Sequence, residues 1–181
     1  MFCFIAGQNT ENQRFIMTYE DKQLYFTLYK ETEFGKQFYE KIKAAGPLKL
    51  PMYKEILDDY KDLYIHLNDF DESVIGDPSV DIFHAGDIII NSGGSYYPLT
   101  FVLNDAYYYA QKIGEIEESS IDGFISLLDI LTYYEDNSPT IVTFTVEEPE
   151  QSGYSLIIIY VCVMVALLFI VFIIIIYKFL F

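Results

Sequence analysis

Arg14 to Lys30, RFIMTYEDKQLYFTLYK, decides the fold class. Its two runs, Arg14 to Tyr19 and Gln23 to Lys30, are rich in aromatic and β-branched residues, and Glu20-Asp21-Lys22 separates them with polar residues suited to a turn, so the stretch predicts a β-hairpin. Directly after it, Thr32 occupies an N-cap position, Phe34, Phe38, Ile42 and Ala45 recur at helical spacing, and Gly46-Pro47 supplies a stop. Further strands are expected at Asp62 to Asn68 (DLYIHLN), Ile82 to Asn91 (IFHAGDIIIN), Tyr97 to Asn104 (YPLTFVLN), Tyr107 to Glu117 and Thr140 to Glu147 (TIVTFTVE). Ser119 or Ser120 is expected to cap a short helix that turns Phe124, Leu127, Leu128 and Leu131 toward the core. Met1 to Gly7 (MFCFIAG) is apolar but has no basic n-region, and it too reads as a strand. Short strands with isolated helices predict a mainly β domain, a closed or nearly closed barrel with two or three short helices at its ends.

The other end of the chain has a different composition. Leu156 to Tyr177 is a run of 22 residues without a charge, and 17 of them are Ile, Leu, Val or Phe. At about 1.5 Å of rise per residue such a run reaches roughly 33 Å as a helix, enough for a hydrocarbon core of about 30 Å. The expected organisation is a soluble domain over 1–148, a linker over 149–155, one transmembrane helix over 156–177 and a tail over 178–181. Tyr154 and Tyr177 suit interfacial anchors. Two signals on orientation conflict. The absence of a signal-like start and the four residues after the span favour post-translational insertion as a tail anchor, with the domain in the cytosol and the endoplasmic reticulum as the membrane in a eukaryotic cell. Lys178 beyond the span, with no Lys or Arg in Pro139 to Ser155, votes the other way under the positive-inside rule. Cys3 and Cys162 fall in these two different regions, so no disulfide framework is expected.

Charge narrows the partners. Ahead of the apolar run stand 27 acidic and ten basic residues, and the excess is uneven: Met1 to Lys61 holds nine of each sign, whereas Asp62 to Glu150 holds 18 acidic residues and the single basic Lys112. A surface of that kind repels polyanions, which excludes nucleic acid as a partner and disfavours an anionic lipid surface against that half.

The order of segments resembles the cyclophilin-like domain proteins, small barrels related in fold to the peptidyl-prolyl isomerases. The features that carry the resemblance are QLYFTLYK leading into a helix, Gly46-Pro47-Leu48, DLYIHL, Phe83-His84-Ala85-Gly86-Asp87-Ile88, the Tyr97 to Asn104 strand, Ile113-Gly114-Glu115-Ile116, and a last strand after a short helix. The resemblance runs from about Gln23 to Glu147, and the membrane run is an addition to it. It implies a small barrel. In true cyclophilins a Phe-His-Arg segment supplies the charge beside the twisting prolyl amide; here Phe83-His84 is followed by Ala85, the only arginine is Arg14, and there is no tryptophan.

Other chemistry has weaker signals. His66 and His84 are the only imidazoles, each on an expected strand, and no metal site or cofactor is assigned to them. Asp69 to Asp81 spaces acids as an EF-hand loop does, but Val74 stands where Gly is required and Val80 where Glu is, so it reads as a polar loop, with Asp69, Asp71, Asp77 and Asp81 offering at most weak ion contact. Ser92-Gly93-Gly94-Ser95 lies between strands and reads as a hairpin loop. The 17 Tyr and 15 Phe remain, and Tyr107-Tyr108-Tyr109 must send consecutive rings to opposite faces of a strand. Phe83, His84, Phe101 and Tyr108 are the candidate binding residues, near Asp105. The expected function is a membrane-tethered, non-catalytic binding module for a protein or peptide, held in the lipid bilayer by its C-terminal helix; the alternative is a divergent membrane-anchored prolyl isomerase.

Overall fold

The computed structural model describes residues 12–57, 60–66, 76–92, 98–136, 138–147, 160, 161 and 163–165. The chain divides into two compact units, Met1–Glu147 and Glu148–Phe181. In the first, strands β1 (Gln13–Tyr19) and β2 (Lys22–Leu28) form the expected hairpin. Helix α1 (Glu33–Ala45) follows, then β3 (Leu48–Leu57), β4 (Tyr60–Ile65), β5 (Ser79–Phe83), β6 (Asp87–Asn91), β7 (Leu99–Val102) and β8 (Ala106–Ile116). A 3-10 turn at Glu118–Ser120, helix α2 (Ile121–Leu127) and β9 (Thr140–Val146) complete the domain.

Eight of the strands close an antiparallel barrel in the order β2-β1-β9-β3-β4-β7-β6-β8, with β8 returning to β2. That seam consists of three pairs, Phe26 with Ile116, Thr27 with Glu115 and Leu28 with Gly114. The ninth strand, β5, lies outside the closed set and pairs with the first half of β8. Inside the barrel the alternate residues of the strands meet α1 and α2: Phe15, Phe26, Phe34, Phe38, Phe101, Phe124 and Phe144 are all fully buried. Their rings stack or meet edge to face, with Phe26 5.5 Å from Phe101 and Phe38 5.5 Å from Phe144, separations that suit aromatic pairs.

The ends of α1 follow from its sequence. Thr32 Oγ1 accepts from the Gly35 N–H at 3.1 Å and donates to Tyr29 O at 2.7 Å, while Gly46, at φ 80°, closes the helix with its N–H on Ile42 O. Replacing Thr32 by Ala should cost about 1 kcal/mol in a urea titration, and Thr32→Asn should recover most of it. Ala45, counted in the apolar stripe, is exposed in the last turn.

Two expectations are corrected. Ile82 to Asn91 is not one strand but β5 and β6 around a turn at 84–86, where Gly86 takes φ 101°, Asp87 accepts from the His84 N–H (2.9 Å) and Asp105 accepts from the Ala85 N–H (3.0 Å). Ser120 does not cap α2 through its side chain; its Oγ accepts the Tyr25 N–H at 2.8 Å and so ties the helix to β2. Leu48–Leu57, which is not among the expected strands, is the ten-residue β3; Pro51 is tolerated there opposite Ile141 of β9.

The expected strand at Met1 to Gly7, both cysteines, the loop residues 69–75, Tyr96 and Tyr97 and the linker 149–155 lie outside the described residues. So does most of the apolar run 156–177, of which Tyr160, Val161 and residues 163–165 are helical and exposed. No helix among the described residues is long and apolar enough to cross a membrane.

Candidate functional site

The outer face of the barrel carries a second core. Along β4 the residues alternate: Leu63 and Ile65 point into the barrel, and Tyr60, Asp62 and Tyr64 point out. Against that outer face lie β5 and the first half of β8, so Phe83, Ile89, Val102, Ala106, Tyr108 and Ala110 form a separate buried cluster with Tyr60 packed against it. This second layer explains three consecutive isoleucines on β6. Ile88 and Ile90 belong to the barrel core and Ile89 to the outer one, so all three are fully buried.

Asp62 is the unusual member. It is 2% exposed, and its Oδ2 accepts from the Tyr108 hydroxyl at 2.5 Å, while its Oδ1 has no hydrogen-bond partner among the described residues. Burial pushes the carboxyl up to about 7; the Tyr108 hydrogen bond works against that and Glu55 across the β3–β4 ladder adds to it. Tyr108 is itself raised above the ordinary phenol range, first by burial and then by the neighbouring Asp62. A carboxyl poised near neutrality beside a hollow is a mark of functional sites.

The hollow is present. Glu55, Leu57, Tyr60, Asn91, Tyr107, Tyr108 and Tyr109 line an open hollow of about 270 Å³ at the edge of the β5–β8 ribbon. The Tyr60 and Tyr108 rings meet at 74° with centroids 5.2 Å apart, and the Tyr60 hydroxyl donates to Tyr107 O at 3.2 Å. On the solvent side of the ribbon Val80 faces Tyr109 and Ile82 faces Tyr107; these side chains are 73%, 49%, 42% and 64% exposed respectively. Such a ladder of large apolar groups is not what a solvated strand pair presents. A larger hollow of about 320 Å³ beside α1, lined by Gln13, Lys30, Gly35, Lys36, Tyr39 and Glu40, has no buried ionisable group and no exposed apolar ladder beside it among the described residues.

Of the candidate residues, Phe83 and Tyr108 come together in the outer cluster, with ring centroids 6.0 Å apart. His84 is exposed on the adjoining turn with Nδ1 3.2 Å from Asp105. Asp105 is held below the usual carboxylate range by the Ala85 N–H and by His84. Phe101 points the other way, fully buried in the barrel between Phe26 and Phe124. Arg14 is clamped by Glu117, at 2.5 and 2.8 Å, and by Glu147, with its guanidinium over the Tyr25 ring. His66 packs among Tyr53, Tyr64 and Tyr134, and burial lowers its pKa. No group of three or more metal-ligating side chains occurs among the described residues.

Sequence reasoning did not single out Asp62, Glu55, Leu57, Tyr60 or Asn91. The one available signal was an aspartate in the expected strand DLYIHLN with no basic residue beside it on the same face.

The sequence matches no model of a known protein family and no curated protein.

Proposed function

We propose that this chain is a membrane-tethered β-barrel that docks an extended segment of a partner protein on the outer face of its β5–β8 ribbon, without catalysing a reaction on it. The observation that carries this reading is the exposed ladder Val80–Tyr109 and Ile82–Tyr107 beside an aromatic-walled hollow. Tyrosine-rich, partly apolar surfaces of this kind are enriched at protein interfaces. The outer edge of β5 favours the same mode, since a strand outside a closed barrel offers backbone groups for a further strand.

The closed barrel supports the resemblance to the cyclophilin-like proteins, with a helix between its second and third strands and another before the last. Absence of isomerase chemistry is supported by Ala85, which sits exposed in the turn where the resemblance calls for arginine, and by Arg14, whose charge is already matched by Glu117 and Glu147. The tether is the uncharged run 156–177, long enough for a bilayer. The reading places the domain on the cytosolic side, with the endoplasmic reticulum as the membrane in a eukaryotic cell.

Proximity labelling with the full chain in cells tests this. The wild type should resist alkaline extraction from membranes, and deletion of Tyr154 to Phe181 should release it. The Val80→Asp/Tyr107→Asp pair, both solvent-facing, should remove specific proteins from the labelled set while leaving the chain in the membrane. An unchanged labelled set would mean that the ribbon is not the docking face, and extraction of the full chain by carbonate would remove the tether.

A further inference from the structure

We infer that the hollow bounded by Tyr60, Tyr107 and Tyr109 receives the basic side chain of a lysine or arginine carried by the partner segment. The inference rests on the docking reading above and specifies the chemistry of the occupant.

None of the seven lining residues is basic, and Glu55 stands among them. The β3–β4 register explains the segregation of charge. Glu55 lies opposite Asp62 and Leu57 opposite Tyr60 on the outer face, whereas Lys54 and Lys61 alternate to the other face, where Lys54 Nζ donates to Leu128 O at 2.7 Å. Behind the hollow, one side chain away, is Asp62: its partner Tyr108 is a wall of the hollow, and its Oδ1 is buried without a hydrogen bond. A buried acceptor in that state is destabilising until a positive charge approaches it.

The walls suit the same occupant. Two perpendicular tyrosine rings, Tyr60 and Tyr108, form an aromatic corner, and Tyr107 and Tyr109 complete the lining. Aromatic faces attract an ammonium or guanidinium and also cover its aliphatic stem. At about 270 Å³ the hollow falls just below the range of roughly 300–1,000 Å³ common for small-molecule sites, a size for one side chain. A carboxylate or phosphate would meet Glu55, with Asp62 behind the Tyr108 wall, and no cation among the described lining residues to balance them.

A linkage follows. Asp62 is faced by Glu55 from β3, by Tyr60 from its own strand, by Tyr108 from β8, and by Val102 at the end of β7. A cation held nearby favours the carboxylate, so binding releases a proton wherever Asp62 is protonated in the free protein. Affinity therefore rises with pH up to about 7 and levels off above it.

The test uses the full chain in detergent micelles and a fluorescent octapeptide of alternating glycine and lysine, compared with the same peptide carrying norleucine for lysine. The lysine peptide should bind at least about tenfold more tightly than the norleucine one. Tyr107→Ala should weaken it about three- to thirty-fold, and Asp62→Asn should weaken it and flatten its dependence on pH between 5.5 and 8. Glu118→Gln removes a charge from an exposed position on the 3-10 turn and should change nothing. Equal loss with Glu118→Gln would reduce the effect to diffuse attraction by an acidic protein and overturn the inference. Equal affinity for both peptides, still sensitive to Tyr107→Ala, would overturn the inference while sparing the docking reading. If the lysine peptide fails to bind at all, the inference is wrong, and the docking reading then stands or falls on the proximity experiment.

Discussion

Asp62→Asn should stabilise the barrel by about 2–4 kcal/mol at pH 8 and change little near pH 4. The folded protein raises this carboxyl from its ordinary value of 3.8 to about 7, chiefly through burial. The folded state therefore holds the proton more tightly than the unfolded chain. The stability this confers is fully present below about pH 4, is lost as pH rises toward 7, and stays lost above it. Asparagine has the same shape, accepts from the Tyr108 hydroxyl as the carboxylate does, and carries no charge to desolvate. Urea midpoints of the chain lacking Tyr154 to Phe181, measured for both proteins at pH 4.5, 6 and 8, give the comparison. The difference between them isolates this residue from Asp105 and Glu115, whose lowered values act in the opposite sense. Parallel pH curves would mean that water reaches the carboxylate and that no penalty exists.

Gly114→Val should be the most damaging single change in the barrel, with a loss above about 3 kcal/mol or failure to fold. Gly114 pairs with Leu28 in the three-residue seam that closes β8 on β2. A Cβ there would overlap the Thr27 carbonyl oxygen and lie 2.9 Å from Leu28 Cδ2 and 3.1 Å from Leu28 Cα, so backbone, not a movable side chain, must give way. The change in near-ultraviolet circular dichroism and the urea midpoint should both report it. Gly46→Ala is the useful control, because nothing lies within 4 Å of an added Cβ at Gly46 and only its φ of 80° is strained, at a cost of about 1 kcal/mol. Equal effects of the two changes would show that the seam contributes little.

The candidate site was legible only in part. Tyr107-Tyr108-Tyr109 in a strand requires rings on both faces, and the structure has two of them exposed and Tyr108 at 7%. Of the candidates for one groove, Phe83 and Tyr108 meet in the outer cluster, while Phe101 belongs to the barrel interior. Nothing in a strand's own sequence says which of its two faces meets the larger core, and Phe101 and Val102 are both fully buried on opposite faces of β7.

Features whose physics is local are legible in the chain alone. The β1–β2 hairpin follows from a polar turn between two β-rich runs, α1 from Thr32, a phenylalanine stripe and Gly46, and β9 from alternation over Thr140 to Val146. The uncharged run 156–177 is equally a property of composition. Only the tertiary structure decided the closure of β8 on β2, the placement of β5 outside the barrel, the double burial of Ile88, Ile89 and Ile90, and the meeting of Asp62 with Tyr108 across 46 positions of the chain. Each of these depends on which distant segment covers a given face. That depends on the packing of the whole barrel, because periodicity tells which residues share a face and not what will lie against it.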